Sequence, residues 1–260
     1  MKFLFIVQGE GRGHFTQAIT LEEMLLRNGH EVVEVLVGKS STRTLPGFFN
    51  RSIHAPVKRF ISPNFLPTAD NKRANLTKSF AYNLLRLPEY LRSMYYINQR
   101  IRETGAEVVI NFYELLTGLT YALFRPSVPY ICVGHQYLFL HRDFESPDKN
   151  SCQLWMLRFF TRMTALRSSK KLALSFLEME QDDMNQIVTV PPLIRQEVTA
   201  IRPEKGDYIH GYMVNSGFAD SVESFHAKHP EVPLTFFWDR SDAEEVTRID
   251  ETLSFHQIDD

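Results

Sequence analysis

The stretch Phe3–Gly38, FLFIVQGEGRGHFTQAITLEEMLLRNGHEVVEVLVG, decides how the rest of the chain is read. Phe3 to Gln8 is a nearly continuous apolar run, the pattern of a strand buried on both faces. Gly9-Glu10-Gly11-Arg12-Gly13-His14 then breaks it. From Phe15 to Asn28, Ala18, Leu21 and Leu25 recur on one helical face. Gly29 can take the left-handed conformation that ends a helix. Glu31 to Val37, rich in valine, is a second strand. Strand, glycine turn, amphipathic helix and strand in that order predict an α/β fold on a parallel sheet.

The same rhythm continues outward. A short helix is expected within 40–49, a strand at 60–62 closed by Pro63, and a long helical region over 71–104 broken near Pro88. Strands follow at 108–112 and 130–134 with a helix at 115–123 between them, then a helix at 153–167 and a strand at 171–176. Ile187 to Val190 runs into Pro191-Pro192, where helix and sheet both stop. The polar stretch 195–205 reads as a linker, after which strands at 208–214, 233–238 and 252–257 and a helix at 218–228 restart the pattern. The expectation is a doubly wound, Rossmann-like N-terminal domain over 1–197. A second Rossmann-like domain over 205–260 is expected to be incomplete, since such domains use about five or six strands.

Bulk composition narrows the function classes. The chain has 260 residues, 43% hydrophobic and 23% charged, enough for a sizeable core. A formal net charge of −2 argues against a whole-chain grip on nucleic acid. Cys132 and Cys152 are the only cysteines and neither has a partner at metal-ligand spacing, so a cytoplasmic home without a disulfide or metal is expected.

Glycines in the first turn let the backbone bend tightly and let a ligand approach, while amides at a helix start favour negative charge. A tight turn with no ligand would use the same residues. A dinucleotide site needs G-x-G-x-x-G and an acid ending the second strand. Here His14 stands in place of the third glycine, and the strand ends Leu36-Val37-Gly38-Lys39 without an acid. The NAD reading fails on both counts. A P-loop fails too, because no Lys-Ser or Lys-Thr closes the turn.

On these residues the chain resembles the GT-B glycosyltransferases. It is most similar to the group of the peptidoglycan lipid-intermediate N-acetylglucosaminyltransferase and the glucuronosyltransferase-like enzymes. The resemblance rests on the G-x-G-x-G-H loop together with the Gly29-His30-Glu31-Val32 step, and more loosely on strand order and the Pro-Pro region. It implies a first domain for the acceptor, a second for a nucleotide-sugar (a co-substrate, with no further cofactor), and reaction in the cleft. The acceptor is left open, lipid-linked or glycan. Gly9, Gly11, Arg12 and Gly13 would line the acceptor side.

By the same resemblance His14 is the general base. Imidazole titrates near neutrality and can take a proton from an attacking hydroxyl; the alternative is a plain helix-start residue. Glu114 would orient His14, or is a solvated loop glutamate. His135, at the same sheet edge, is a second cleft residue or a packed one. Asn215, Ser216 and Gly217 would face the donor diphosphate, or cap a helix. No D-x-D pair is present, and Asp182-Asp183 and Asp259-Asp260 are adjacent pairs, so a metal-independent, inverting reaction is implied. The family's donor signature falls past residue 260, so the chain by itself is expected to be inactive.

Two other readings stay open: a non-catalytic acceptor-binding module, and a nucleotide-sugar epimerase of the same architecture. A last feature is electrostatic. From Lys149 to Leu177 there is no acid, while Arg158, Arg162, Arg167, Lys170 and Lys171 accompany Trp155, Met156, Leu157, Phe159 and Phe160. A basic, aromatic helix over 155–171 suits an anionic membrane surface; packing into the core is the other reading.

Overall fold

The computed structural model describes residues 1–39, 45–64, 76–146, 151–213, 216–240 and 243–258. In chain order the first unit contains β1 (Lys2–Gln8), α1 (Arg12–Arg27), β2 (Glu31–Lys39), α2 (Gly47–Ser52) and β3 (Val57–Ile61). Next come α3 (Leu76–Leu85), of which only residues 83–85 fall in this unit, then α4 (Leu87–Glu103), β4 (Val108–Phe112), α5 (Leu115–Phe124) and β5 (Tyr130–Val133). A 3₁₀ turn (His135–Leu140), α6 (Cys152–Thr164), β6 (Lys170–Leu174), β7 (Ile187–Val190) and α7 (Gln196–Ala200) complete the series.

The seven strands form one sheet, β3-β2-β1-β4-β5-β6-β7, and every neighbouring pair is parallel. Strand order reverses between β1 and β4. In open α/β sheets that switch point opens a crevice at the carboxyl ends of the strands. It lies where β1 runs into the glycine loop and β4 runs into Tyr113-Glu114.

Alternation along β1 builds the two halves of the core. Leu4 and Ile6 pack with Tyr90, Met94, Ile97 and Ile101 of α4. Phe3, Phe5 and Val7 pack on the other side with Phe15, Ala18 and Ile19 of α1 and Phe49 of α2. Gly29 takes φ +74 after α1, as its place in the sequence predicts. The helical break falls at Arg86, and Pro88 sits in the first turn of α4, where a missing N–H costs nothing. α4 is fastened to the sheet through Glu34 of β2, the strand beside the edge strand β3. Its carboxylate, buried, accepts from Arg100 at 2.8 and 2.9 Å and pairs with Lys58 at 2.8 Å.

The second unit holds β8 (Ile209–Met213), a 3₁₀ turn (Ser216–Phe218), α8 (Ala219–His226), β9 (Leu234–Trp238), β10 (Val246–Arg248) and β11 (Leu253–Gln257). Its sheet runs β10-β11-β9-β8, with β8, β9 and β11 parallel and β10 antiparallel. Met213, Ala219, Leu234, Trp238, Leu253 and Phe255 are its core. The first unit takes in the described residues of 1–64 and 83–201; those of 76–82 and 202–258 group together as the second.

Candidate functional site

The three loop glycines have different physical reasons. Gly9 N–H donates to the Gly38 carbonyl at 2.8 Å, and a Cβ on Gly9 would stand 2.7 Å from that same oxygen. Close approach of β1 to β2 therefore requires glycine there. At Gly11 and Gly13 a Cβ would meet nothing within 4 Å, so these two leave the loop's outer face open. Gly11 is the N-cap of α1, extended, with no side-chain cap bond, and the first turn holds no acid. The positive end of α1 is thus not neutralised from within its own turn. Arg12 lies 5.7 Å from the centre of the Phe48 ring, and Arg195 approaches the same ring at 6.0 Å.

His14 follows in the first turns of α1. It is buried, 7% exposed, and stacks on Tyr113 with ring centres 5.8 Å apart. Its Nδ1 lies 3.2 Å from Gln17 Oε1 and its Nε2 lies 3.3 Å from Gln136 Nε2. The Gln17 oxygen can only accept and the Gln136 amide can only donate, so the ring proton sits on Nδ1 and the lone pair on Nε2. Burial drives the His14 pKa down to about 4, opposed by the Gln17 hydrogen bond and helped slightly by the charge of His135. The ring is neutral at pH 7, with its basic nitrogen held by one amide.

Tyr113, directly after β4, has φ +61, a left-handed backbone that is costly for a bulky residue. Asn111 holds the turn: its Oδ1 accepts from Glu114 N–H at 3.0 Å, and its Nδ2 donates to the carbonyls of Glu114 and Thr164. The strained turn lays the Tyr113 ring under His14 and points its hydroxyl at Thr161 Oγ1, 2.8 Å away. Burial pushes the phenol pKa up.

Glu114 does not orient His14, as sequence reasoning expected, and it is not solvated either. It is fully buried, caps α5 by accepting from Leu116 N–H at 3.1 Å, and accepts from Ser62 Oγ at 2.6 Å, all through Oε1. Both nitrogens of His14 are taken by glutamines instead. Among the described residues Oε2 of Glu114 has no hydrogen-bond partner; it lies against Gly38, where a Cβ would be 2.2 Å away. Burial pushes the carboxyl up to about 7; the Ser62 and backbone hydrogen bonds lower it and the Glu10 charge raises it further.

His135 opens the 3₁₀ turn after β5. It is exposed, its charge is felt at His14, and its own pKa is lowered by burial of part of its ring. Its neighbour Gln136 makes the actual contact with His14. Sequence reasoning missed Gln17, Ser62, Tyr113 and Gln136. Only Gln17 carried a signal, since residues three apart on a helix meet on one face.

In the second unit Ser216 and Gly217 form the 3₁₀ turn that follows β8. The N-cap of α8 is Phe218, without a side-chain cap bond, so Ser216 is not that helix's cap. Asn215 lies outside the described residues. On α6, Trp155 and Phe159 are 63% and 51% exposed and stack at 5.6 Å. Arg162, Arg167 and Lys170 are exposed, whereas Arg158 donates to the Phe139 carbonyl and Lys171 to the Asn185 carbonyl. Among the described residues no helix is long and apolar enough to cross a membrane, and no three His, Cys, Asp or Glu side chains converge.

A parallel seven-stranded sheet whose switch point meets an uncapped, glycine-opened helix defines a Rossmann-like unit. The model of glycosyl transferase family 1 matches residues 1–252, and the chain belongs to that family; it is a GT-B glycosyltransferase. No curated protein matches it by sequence. Three solved structures show the likeness of fold. Arabidopsis thaliana UGT89C1 complexed with UDP-L-rhamnose is 14% identical with a TM-score of 0.56, over 98% of this chain and 69% of that one. UDP-GlcNAc 2-epimerase from Neisseria meningitidis bound to UDP-GlcNAc is 11% identical with a TM-score of 0.58, over 100% and 72%. Glycosyltransferase SsfS6 from Streptomyces sp. SF2575, complexed with thymidine diphosphate, is 13% identical with a TM-score of 0.55, over 99% and 72%.

Proposed function

We propose that the protein transfers a sugar from a nucleoside-diphosphate donor to an acceptor hydroxyl, with His14 as general base, with inversion and without a metal ion. The observation that carries the reading is the buried, neutral His14, its Nε2 lone pair covered only by the Gln136 amide at 3.3 Å. An acceptor hydroxyl that displaces this amide donates to Nε2. As its oxygen bonds to the anomeric carbon, the proton passes to Nε2 while the bond to the diphosphate breaks and its electron pair leaves with the phosphate. Gln17 Oε1, accepting from Nδ1–H, steadies the imidazolium that forms. An amide oxygen does this less strongly than a carboxylate, in keeping with the low pKa. The nucleotide ligands bound by the solved structures of like fold support the donor class. The loop and its Gly-His-Glu-Val step support the lipid-intermediate and glucuronosyltransferase-like group within the family.

Replacing His14 with Ala should lower kcat by about 10²–10⁴ at an unchanged melting temperature, measured with nucleotide-sugars and an acceptor panel. Undiminished turnover would make His14 a structural residue. Loss of activity in a chelator would remove metal independence. The likeness to an epimerase favours one second reading, which product formation without any acceptor would establish.

The exposed Trp155–Phe159 pair beside Arg162, Arg167 and Lys170 supports peripheral contact with an anionic membrane, on its inner face, and hence a lipid-linked acceptor. Co-sedimentation with anionic liposomes should fall when Trp155 and Phe159 become Ala; unchanged binding would sink that part.

A further inference from the structure

At the free edge of the seven-stranded sheet, β3 and the first half of α4 form an open, shallow cavity of about 260 Å³ lined by Arg59, Phe60, Ile61, Arg92, Ser93 and Tyr96, and by Glu89. Glu89, Arg92, Ser93 and Tyr96 fall at helical spacing and so share one face of α4. All of the lining belongs to the first unit.

The cations around this edge divide sharply. Lys58 and Arg100 are paired with Glu34, and Arg86 holds the Glu89 carboxylate at 2.7 Å. Arg59 and Arg92 make no ion pair among the described residues, and both line the cavity. The one acid in the lining is therefore already engaged, and Arg59 and Arg92, both exposed, share the lining with Phe60, Ile61 and Tyr96. Guanidinium groups match carboxylate and phosphate oxygens in a planar, two-bonded geometry. A cavity below the usual 300–1,000 Å³ of a whole-ligand pocket suits one group of a larger molecule.

Phe60 ties this lining to Gly38: its ring stands 2.8 Å from the point where a Gly38 Cβ would be, and Glu114 Oε2 stands 2.2 Å from the same point. Glu114 is joined through the chain to Tyr113, which stacks on His14.

We propose that this cavity holds an anionic group of the acceptor, a phosphate or carboxylate on an apolar or aromatic body, so that the protein glycosylates acidic acceptors. The proposal rests on the transfer reading above and names its acceptor class.

The test is a calorimetric titration of phenyl phosphate, benzoate and phenol into the full chain. Wild type is compared with Arg59→Gln, Arg92→Gln, the double variant, and Arg102→Gln, an exposed arginine in the last turn of α4. At least one anion should bind the wild type and phenol should not. Each single variant should weaken that anion about tenfold, the loss expected of one charged hydrogen-bonding partner. The double variant should abolish binding, Arg102→Gln should leave it unchanged, and all melting temperatures should stay together. Preference for phenyl phosphate assigns a phosphoryl group; preference for benzoate assigns a carboxylate. No binding by the wild type, equal binding by the double variant, an equal loss in Arg102→Gln, or equal binding of phenol would each overturn the proposal. The readout needs no turnover. Anion binding that persists where no transfer is found would count against the transfer reading alone, and transfer without anion binding would count against this one alone.

Discussion

Glu114 and His14 are both buried, and their titrations should pull stability in opposite directions. Glu114 moves from an ordinary 4.5 to about 7 in the folded protein. The folded state then holds the proton more tightly than the unfolded chain does, so stability is full below pH 4.5 and falls as pH rises through about 7. At about 1.4 kcal/mol per pKa unit, the loss amounts to about 3 kcal/mol. His14 moves from 6.5 to about 4, so the unfolded chain takes the proton first. Its contribution is full above pH 6.5 and is lost, again by about 3 kcal/mol, as pH falls through about 4. The two nearly cancel, and the wild type should show little pH dependence from this pair. Single substitutions should uncover it. Glu114→Gln keeps the size and the Ser62 bond but cannot ionise, so its stability relative to wild type should rise by about 3 kcal/mol from pH 4.5 to pH 8. His14→Gln should fall relative to wild type by a similar amount between pH 4 and pH 7. Urea unfolding at unit pH steps, with a constant m-value, reads both differences. A Glu114→Gln difference that stays flat from pH 5 to pH 8 would refute the buried-carboxyl account.

Three further outcomes follow from the loop and the sheet edge. Gly38→Ala places a Cβ 2.2 Å from Glu114 Oε2 and 2.8 Å from the Phe60 ring. It should cost about 1–3 kcal/mol, part of which is regained when Glu114 is also shortened to Ala, as a double-mutant cycle in urea will show. Gly9→Ala should destabilise by a comparable amount because its Cβ meets the Gly38 carbonyl, whereas Gly13→Ala, in open space on α1, should keep or raise the melting temperature while weakening nucleotide-dependent turnover. Arg100→Ala leaves the buried Glu34 with Lys58 alone and should cost about 2–3 kcal/mol in thermal unfolding.

Most of the sheet was legible because buried parallel strands are written as apolar runs. The runs 3–8, 108–112 and 130–134 read that way, and β1 (Lys2–Gln8), β4 (Val108–Phe112) and β5 (Tyr130–Val133) form there. β10 was missed: Val246-Thr247-Arg248 is three residues with an exposed valine, and its pairing with β11 is decided by the neighbouring strand rather than by its own pattern. The helix break at Arg86 was placed near Pro88 because proline marks a boundary only to within a turn. The position of His14 was legible from the loop. Its partner across the sheet was not, because Gln136 is 122 residues away and reaches His14 only once β1 and β5 lie in one sheet.

The acid at the end of the second strand makes the sharpest case. In the sequence its absence at Gly38 argues against a dinucleotide site and says nothing more. The structure gives that absence a cause. Gly38 has no side chain because the Glu114 carboxyl, coming from the turn after β4, fills the space a Cβ would need. A carboxyl thus does reach the end of β2, delivered across the sheet by another strand and held by Ser62 instead of by a ribose. No reading of residues 31–39 alone can find it, since the two positions are joined only through the strand order β2-β1-β4. The same delivery leaves His14 without a carboxylate behind it. That is why its Nδ1 turns to Gln17 within its own helix, and why the base proposed above is a neutral, weakly basic ring.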